Sequence, residues 1–210
     1  MQIIKESDPK AIDLACKFLR EGKLVVFASD TVYGIAADAS NYEAVEKLYK
    51  IKERDISKPI AIFLKDMEMA KKIFYFGKNA AKIATKLLPG SLTMVLKTKS
   101  EADSFLSQNL NKNNDGFVGF RIIDKKFVNK LLENFAGIIA VSSANKSNFE
   151  AAKNCSEVVS YFTEYSSKEL LIIDGGSTTS QASTVIKFEE EEVKILRLGA
   201  ITKEKIFELL

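Results

Sequence analysis

The sequence predicts one α/β domain built on a mixed sheet. Three observations lead there. Apolar runs of strand length alternate with amphipathic helical patterns along the whole chain. No linker, repeat or low-complexity boundary interrupts the alternation, so residues 1–210 read as a single unit. A chain of 210 residues can bury one substantial core.

Taken in order, Asp8 and Pro9 have the chemistry of an N-cap and a first helical residue. Ile12, Ala15, Cys16 and Leu19 then recur at helical spacing, and Gly22 supplies the stop. Residues 24–28 are a short apolar run ending at Ser29-Asp30, a buried strand feeding a polar loop. Ser40 and Glu43 pattern as a capping box for a helix with Val45, Leu48 and Tyr49 on its apolar face. Pro59 opens a strand over 60–64. Asp66 caps a helix to Ile73, and Asn79 another to Leu88 before Pro89-Gly90. Strands over 92–97 and 117–123 flank residues 109–116, whose Asn, Lys, Asp and Gly content reads as a mobile loop. A helix over 125–135, a strand over 137–141, a helix over 156–165 and a strand over 170–173 follow. Residues 183–188 and 193–197 read as a hairpin around the glutamates, and 201–210 as a terminal helix.

Composition narrows the chemistry. The chain has no histidine, which removes Ser-His and Cys-His nucleophile systems and every histidine-ligated metal site. Acid–base work falls to Lys, Asp, Glu, Tyr, water or the substrate. Cys16 and Cys155 are far apart and lie in helical patterns, so buried thiols are expected rather than a disulfide. The net charge of +3 is below that of a general nucleic-acid binder. Nothing approaches the ~20 consecutive apolar residues of a membrane span. The N-terminus carries acid early and has no apolar segment, so no signal peptide is read and a cytoplasmic protein is expected.

Four polar clusters stand at the edges of apolar runs: Ser29-Asp30-Thr31-Val32-Tyr33-Gly34, Lys52-Glu53-Arg54, Ser142-Ser143-Ala144-Asn145 and Ser183-Thr184-Val185. In open α/β proteins ligands sit in the crevice at strand ends, so the set suggests a pocket for an anionic small molecule. Neither Gly-x-x-x-x-Gly-Lys-Ser/Thr nor Gly-x-Gly-x-x-Gly after a strand is present, so any phosphate contact falls on side-chain cations and hydroxyls. Lys52 and Arg54 would point about 200° apart on a helix. They converge only if the chain has left the helix there, as Asp55, Ser57 and Pro59 suggest. Singly, each cluster has a plain alternative. Lys52 and Arg54 read equally as solvated charges, and Thr31 and Ser143 as caps. Arg121 and Arg197 inside apolar strands are either carboxylate anchors or structural arginines, Arg121 paired with Asp30 or Asp124.

Together the clusters resemble the YrdC-like family, the threonylcarbamoyl-AMP synthases. The resemblance rests on Ala28-Ser29-Asp30-Thr31-Val32-Tyr33-Gly34-Ile35, on Lys52-Glu53-Arg54 followed by Pro59-Ile60, and on Pro89-Gly90-Ser91-Leu92-Thr93. It continues through residues 118–124, Ser143-Ala144-Asn145, residues 183–186 and residues 197–201, covering about 20 to 202. It implies a twisted open mixed sheet with flanking helices and a concave cationic cleft. It further implies synthesis of threonylcarbamoyl-AMP and pyrophosphate from L-threonine, bicarbonate or CO2, and ATP. Mg2+ would accompany ATP, with no redox cofactor, and separate transferase proteins would use the product to modify tRNA. Carried over by position, Thr31, Phe63, Arg121, Val141 and Ser183 line the threonine side. Arg54, Lys58, Phe117, Ser143 and Arg197 line the nucleotide, and Lys52, Arg54, Ser143 and Asn145 form the catalytic signature.

The chain departs from the family wording at Ala28, Asp55, Ser91 and Asn148, and Ala151-Ala152 stands where a basic residue is often found. Residues 109–116 and 145–153 are the segments expected to move over substrates. Two other classes were weighed: a paralogue that uses the cleft for double-stranded RNA or the ribosome, and a carbamoyl-transfer module of hydrogenase-maturation proteins. The first predicts steep salt dependence without threonine-dependent chemistry.

Overall fold

The computed structural model describes residues 1–111, 115–178 and 181–210. Its strands are β1 (Gln2–Lys5), β2 (Leu24–Ala28), β3 (Tyr33–Asp38), β4 (Ala61–Leu64), β5 (Leu92–Lys97), β6 (Phe117–Ile122), β7 (Ile139–Ser143), β8 (Leu170–Asp174), β9 (Thr184–Glu189) and β10 (Glu192–Arg197). They form one sheet in the order β1-β8-β2-β3-β7-β4-β6-β5-β9-β10. The pairing is mixed: β8 runs parallel to both β1 and β2, β4 to β6 and β5 to β9, while the remaining neighbours are antiparallel. The helices are α1 (Ala11–Arg20), α2 (Tyr42–Ile51), α3 (Met67–Ile73), α4 (Lys78–Leu87), α5 (Lys126–Phe135), α6 (Cys155–Tyr161) and α7 (Lys203–Phe207). None is long and apolar enough to cross a membrane, among the described residues.

The period-2 alternation of each strand sorts its residues onto two faces, and the faces have different fates. One carries Val26, Ile35, Ile62, Met94, Phe120 and Ile172, packed in a core with residues of α2, α3, α4, α6 and α7. The other carries Val25, Phe27, Ala36, Val141 and Leu171, covered by Ala15 and Leu19 of α1 and by Val128 and Leu131 of α5. That second cover stops short. Over β4, β6, β5 and β9 the face holds Ala61, Gly119, Val95 and Val185 only partly buried or without a side chain, and no helix closes it. The bare part becomes the floor of the cleft described below.

Most predicted elements are present, and the differences have local causes. β1 was not anticipated, since four residues on a sheet edge carry no periodicity. β3 matches no element expected from the sequence: it is buried along nearly its whole length and is Gly/Ala-rich, so it lacks the alternation that marks a strand. α1 starts after Lys10, because Asp8 instead closes a turn by accepting from the Lys10 amide. The cap of α2 is Asn41, whose side chain accepts from the Ala44 amide, while Ser40 is held by Asp38. Asp66 caps α3 as expected, and Gly22 at φ +65° ends α1. Gln108–Asn111 forms a 3-10 turn, and residues 112–114 of the expected mobile loop lie outside the described residues.

The N-terminus of α4 is capped from far away. Glu191, at the turn between β9 and β10, accepts from the Lys78 and Asn79 amides at 2.8 Å each. Gly77 leaves room for it, since a Cβ there would lie 2.6 Å from the carboxylate. Two of the helix's orphan donors are thereby satisfied by a negative charge at the positive helix end. Glu191→Ala is expected to lower stability, read as a lower urea midpoint; an unchanged midpoint would remove the cap from the account.

Candidate active site

The cleft has a volume of about 530 Å³. Its floor is two cross-strand rows on the uncovered sheet face. Val141, Ala61, Gly119 and Val95 make one row, and Phe63, Arg121, Thr93 and Val185 the other, as the registers of β7, β4, β6, β5 and β9 require. Gly119 keeps the floor low, for a Cβ there would press on Ala61 and Thr93 at 3.4 Å. Ser29, Thr31 to Gly34, Arg54, Ser142, Ser143, Asn145, Phe149, Ser183 and Arg197 supply walls. The sequence suggested a crevice at strand ends; the structure places the cleft over the sheet face, with strand-end loops as its rim.

Arg121 is 5% exposed and held on three sides. Its Nη2 donates to both Asp30 carboxylate oxygens at 2.8 and 3.0 Å and to the Gly90 carbonyl, and Nη1 donates to Thr31 Oγ1 at 3.1 Å. Phe63 stacks beneath it, 5.5 Å from ring centroid to guanidinium. Asp30, not Asp124, is therefore its partner. Burial pushes the guanidinium pKa down, and Asp30 opposes that. Arg121 Nε is buried and has no acceptor among the described residues.

Lys52 ends α2, and Glu53 at φ +49° turns the chain out of the helix, as the Lys-x-Arg pair required. The two cations then go different ways. Lys52 is 1% exposed and is not among the residues lining the cleft. Its ammonium donates to Ser143 O at 2.5 Å, Asn145 O at 2.8 Å and Asn145 Oδ1 at 3.1 Å. Burial, with Arg54 nearby, pushes its pKa down to about 7. Three oxygens that take all three ammonium protons counteract that shift. The Asn145 amide, so anchored, donates to the Lys146 and Phe149 carbonyls and shapes the turn beyond β7. Asn148 in that turn sits at φ +71°, a conformation that glycine takes freely and asparagine tolerates, so the departure from Ser-Gly keeps the turn.

Arg54 lines the cleft and is tied by Nε to Lys58 O and by Nη2 to Pro59 O, both at 3.0 Å. Asp55, another of the departures, holds the same loop by accepting from the Ser57 amide. Arg197 donates to Ser183 O and Oγ, and Ser183 Oγ meets Thr93 Oγ1 at 2.8 Å. Of the residues carried over for the threonine side, Thr31, Phe63, Arg121, Val141 and Ser183 all line the cleft; on the nucleotide side Arg54, Ser143 and Arg197 do, as does Asn145. Lys58 is exposed on the loop that Arg54 grips, and Phe117 lies under Lys187, whose Nζ is 3.9 Å from the ring centroid. Neither is among the lining residues. Ser29, Thr93 and Phe149 line it as well; the sequence placed Ser29 in the first polar cluster and Thr93 in the Pro89–Thr93 motif without a substrate role, and gave Phe149 none. Only the strand register brings Thr93 beside Arg121 and Val185, and no sequence pattern shows register.

The Sua5_yciO_yrdC family model, described as "Telomere recombination", matches residues 17–199. The chain belongs to this family. Sua5/YciO/YrdC relatives include a Methanocaldococcus jannaschii protein named "Putative threonylcarbamoyl-AMP synthase", 32% identical over 98% of this chain and 93% of its own length. The threonylcarbamoyl-AMP synthase of Pyrococcus abyssi is also 32% identical, over 93% of this chain but 56% of its own length. Among solved structures, P. abyssi Sua5 complexed with L-threonine superposes with a TM-score of 0.87 at 29% identity, over 100% of this chain and 60% of that one. E. coli YciO, 18% identical with a TM-score of 0.84, shares the fold. The chain thus spans nearly all of one relative and little more than half of the other.

Proposed function

We propose that the chain is a threonylcarbamoyl-AMP synthase, and that its tRNA-modification product is passed to separate transferase proteins. The observation that carries this is a cleft lined by Arg54, Arg121 and Arg197 and, among the described residues, by no carboxylate, in a chain whose relatives bear that name. The Arg121 donor suits the carboxylate of L-threonine, with Val141 and Phe63 against its apolar atoms. Arg54 and Arg197 bring positive charge and Ser143 a hydroxyl, a set that suits the phosphates of ATP. Magnesium enters on the triphosphate as part of that substrate: among the described residues no cluster of three His, Cys, Asp or Glu side chains could hold a metal ion.

The chemistry needs no protein nucleophile. The threonine amine forms an N–C bond to the carbon of CO2, or of bicarbonate with loss of water, and gives up a proton. A carbamate oxygen then attacks the α-phosphorus, and pyrophosphate leaves with the bonding pair. The chain's part is proximity and fixed positive charge. In this reading Lys52 positions the Ser143–Asn145 turn rather than touching phosphate. The test is pyrophosphate release by the purified protein with ATP, magnesium and bicarbonate. The reading predicts release only when L-threonine is added; release indifferent to L-threonine would overturn it.

A further inference from the structure

Strict alternation along β10 would turn Arg197 away from the cleft. Val193 and Ile195 pack against the core, and a period of two puts residue 197 on their face. The strand breaks that alternation. Ile195 stands opposite Ile186, but Arg197 rather than Leu196 stands opposite Val185, so β10 carries one extra residue at Leu196. A bulge of this kind re-aims a side chain. Leu196 and Arg197 both line the cleft, on the face that Val185 shares. Arg197 is exposed there, so packing does not hold it in place.

The chain beyond the bulge is held by Thr184, which is fully buried and is not among the residues lining the cleft. Its Oγ1 donates to the Ile201 carbonyl at 2.6 Å and accepts from the Gly199 and Ile201 amides at 2.9 and 3.0 Å. A hydroxyl has one proton and two lone pairs, and all three are used. The Ala200 amide adds a bond to the Ala182 carbonyl at 3.0 Å. Glycine at 199 permits the approach, since a Cβ there would collide with the Ala182 carbonyl oxygen. Arg197 is thus fixed from both sides, by strand pairing up to Ile195 and by the Thr184 knot from Gly199 onward. Its guanidinium closes on the same segment, donating to Ser183 O at 2.8 Å.

We propose that Thr184 is a positioning residue: its hydroxyl ties residues 199–201 to β9 and so holds Arg197 over the cleft for the phosphates of the nucleotide. This rests on the function proposed above.

The test is a double-variant cycle read by calorimetric titration with magnesium and ATP, without L-threonine. Thr184→Val keeps the shape and removes the hydroxyl. It is expected to weaken ATP binding about tenfold, on the scale of one or two hydrogen bonds, and Thr184→Ser to keep most of the wild-type affinity. In an Arg197→Met background Thr184→Val should cost almost nothing further, because the residue it positions is gone. A Thr184 that served the fold alone would lose the same factor in both backgrounds, and that additivity overturns the proposal. Wild-type affinity in Thr184→Val overturns it too, as does a folded Thr184→Ser that binds no better than Thr184→Val. If Thr184→Val does not fold, Gly199→Ala takes its place in the cycle: the added methyl pushes the segment off β9 and leaves the hydroxyl intact, and the same outcomes decide. Wild-type protein that binds ATP but forms no adenylate removes the synthase reading, while the cycle still tests Thr184. Wild-type protein that binds no ATP overturns both.

Discussion

Arg121→Met is expected to be the most damaging single change in the molecule, for two separable reasons. The first is stability. Asp30 is 12% exposed and takes both its ionic hydrogen bonds from Arg121. Removing one member of such a pair leaves a buried charge without compensation, at a cost of about 3–5 kcal/mol. The second is activity. With the guanidinium gone the cleft floor loses its cation, and kcat/KM for L-threonine is expected to fall at least about a hundredfold. The double variant Asp30→Asn/Arg121→Met separates them, because the partner no longer carries charge. Its melting temperature should recover most of the loss while activity does not. Recovery of activity along with stability would show that Arg121 matters only to the fold. Arg121→Lys should also fail, since an ammonium cannot serve Asp30, Thr31 and Gly90 together while presenting a further donor.

Lys52→Met is expected to come next, through the turn that carries Ser143 and Asn145. Methionine fills similar space but donates nothing, so Ser143 O, Asn145 O and Asn145 Oδ1 lose their shared donor. Losing buried partners of this kind costs about 1–3 kcal/mol per group, partly offset because no ammonium is then desolvated. A net loss of about 2–4 kcal/mol is expected, read from urea unfolding. Freed from Lys52, the Asn145 side chain no longer fixes the Lys146 and Phe149 carbonyls, and kcat should fall more than KM for ATP rises. A variant that unfolds normally with a raised KM for ATP and unchanged kcat would return Lys52 to direct phosphate contact.

Lys52 also shows where sequence reasoning stopped. The motif Lys52-Glu53-Arg54 was legible, and so was the need for the chain to leave the helix at Glu53. Which cation would face the cleft was not, because the acceptors that bury Lys52 lie 91 and 93 residues away. The sheet followed the same rule. β5, β8 and the β9–β10 hairpin were legible from apolar runs bounded by turn residues, whereas β3 was hidden by its Gly and Ala content. Helix stops written into one residue, such as Gly22, were legible. The cap of α4 was not, since Glu191 is brought to Lys78 and Asn79 only by the finished sheet. The five residues assigned to the threonine side share one cleft, while Ser29 and Thr93, though within quoted motifs, carried no assigned role because hydroxyls near strands are ordinary in sequence and acquire roles only through register and burial.

The central claim is that this cleft joins an amino acid, a one-carbon oxide and a nucleotide. The most direct measurement is the mass of the nucleotide product formed from ATP, magnesium, L-threonine and carbon-13-labelled bicarbonate. The account predicts an adenylate that contains threonine and is heavier by one labelled carbon, absent when L-threonine is omitted and lost in Arg121→Met. A folded, ATP-binding protein that makes no such adenylate, or one whose product lacks the label, would contradict it.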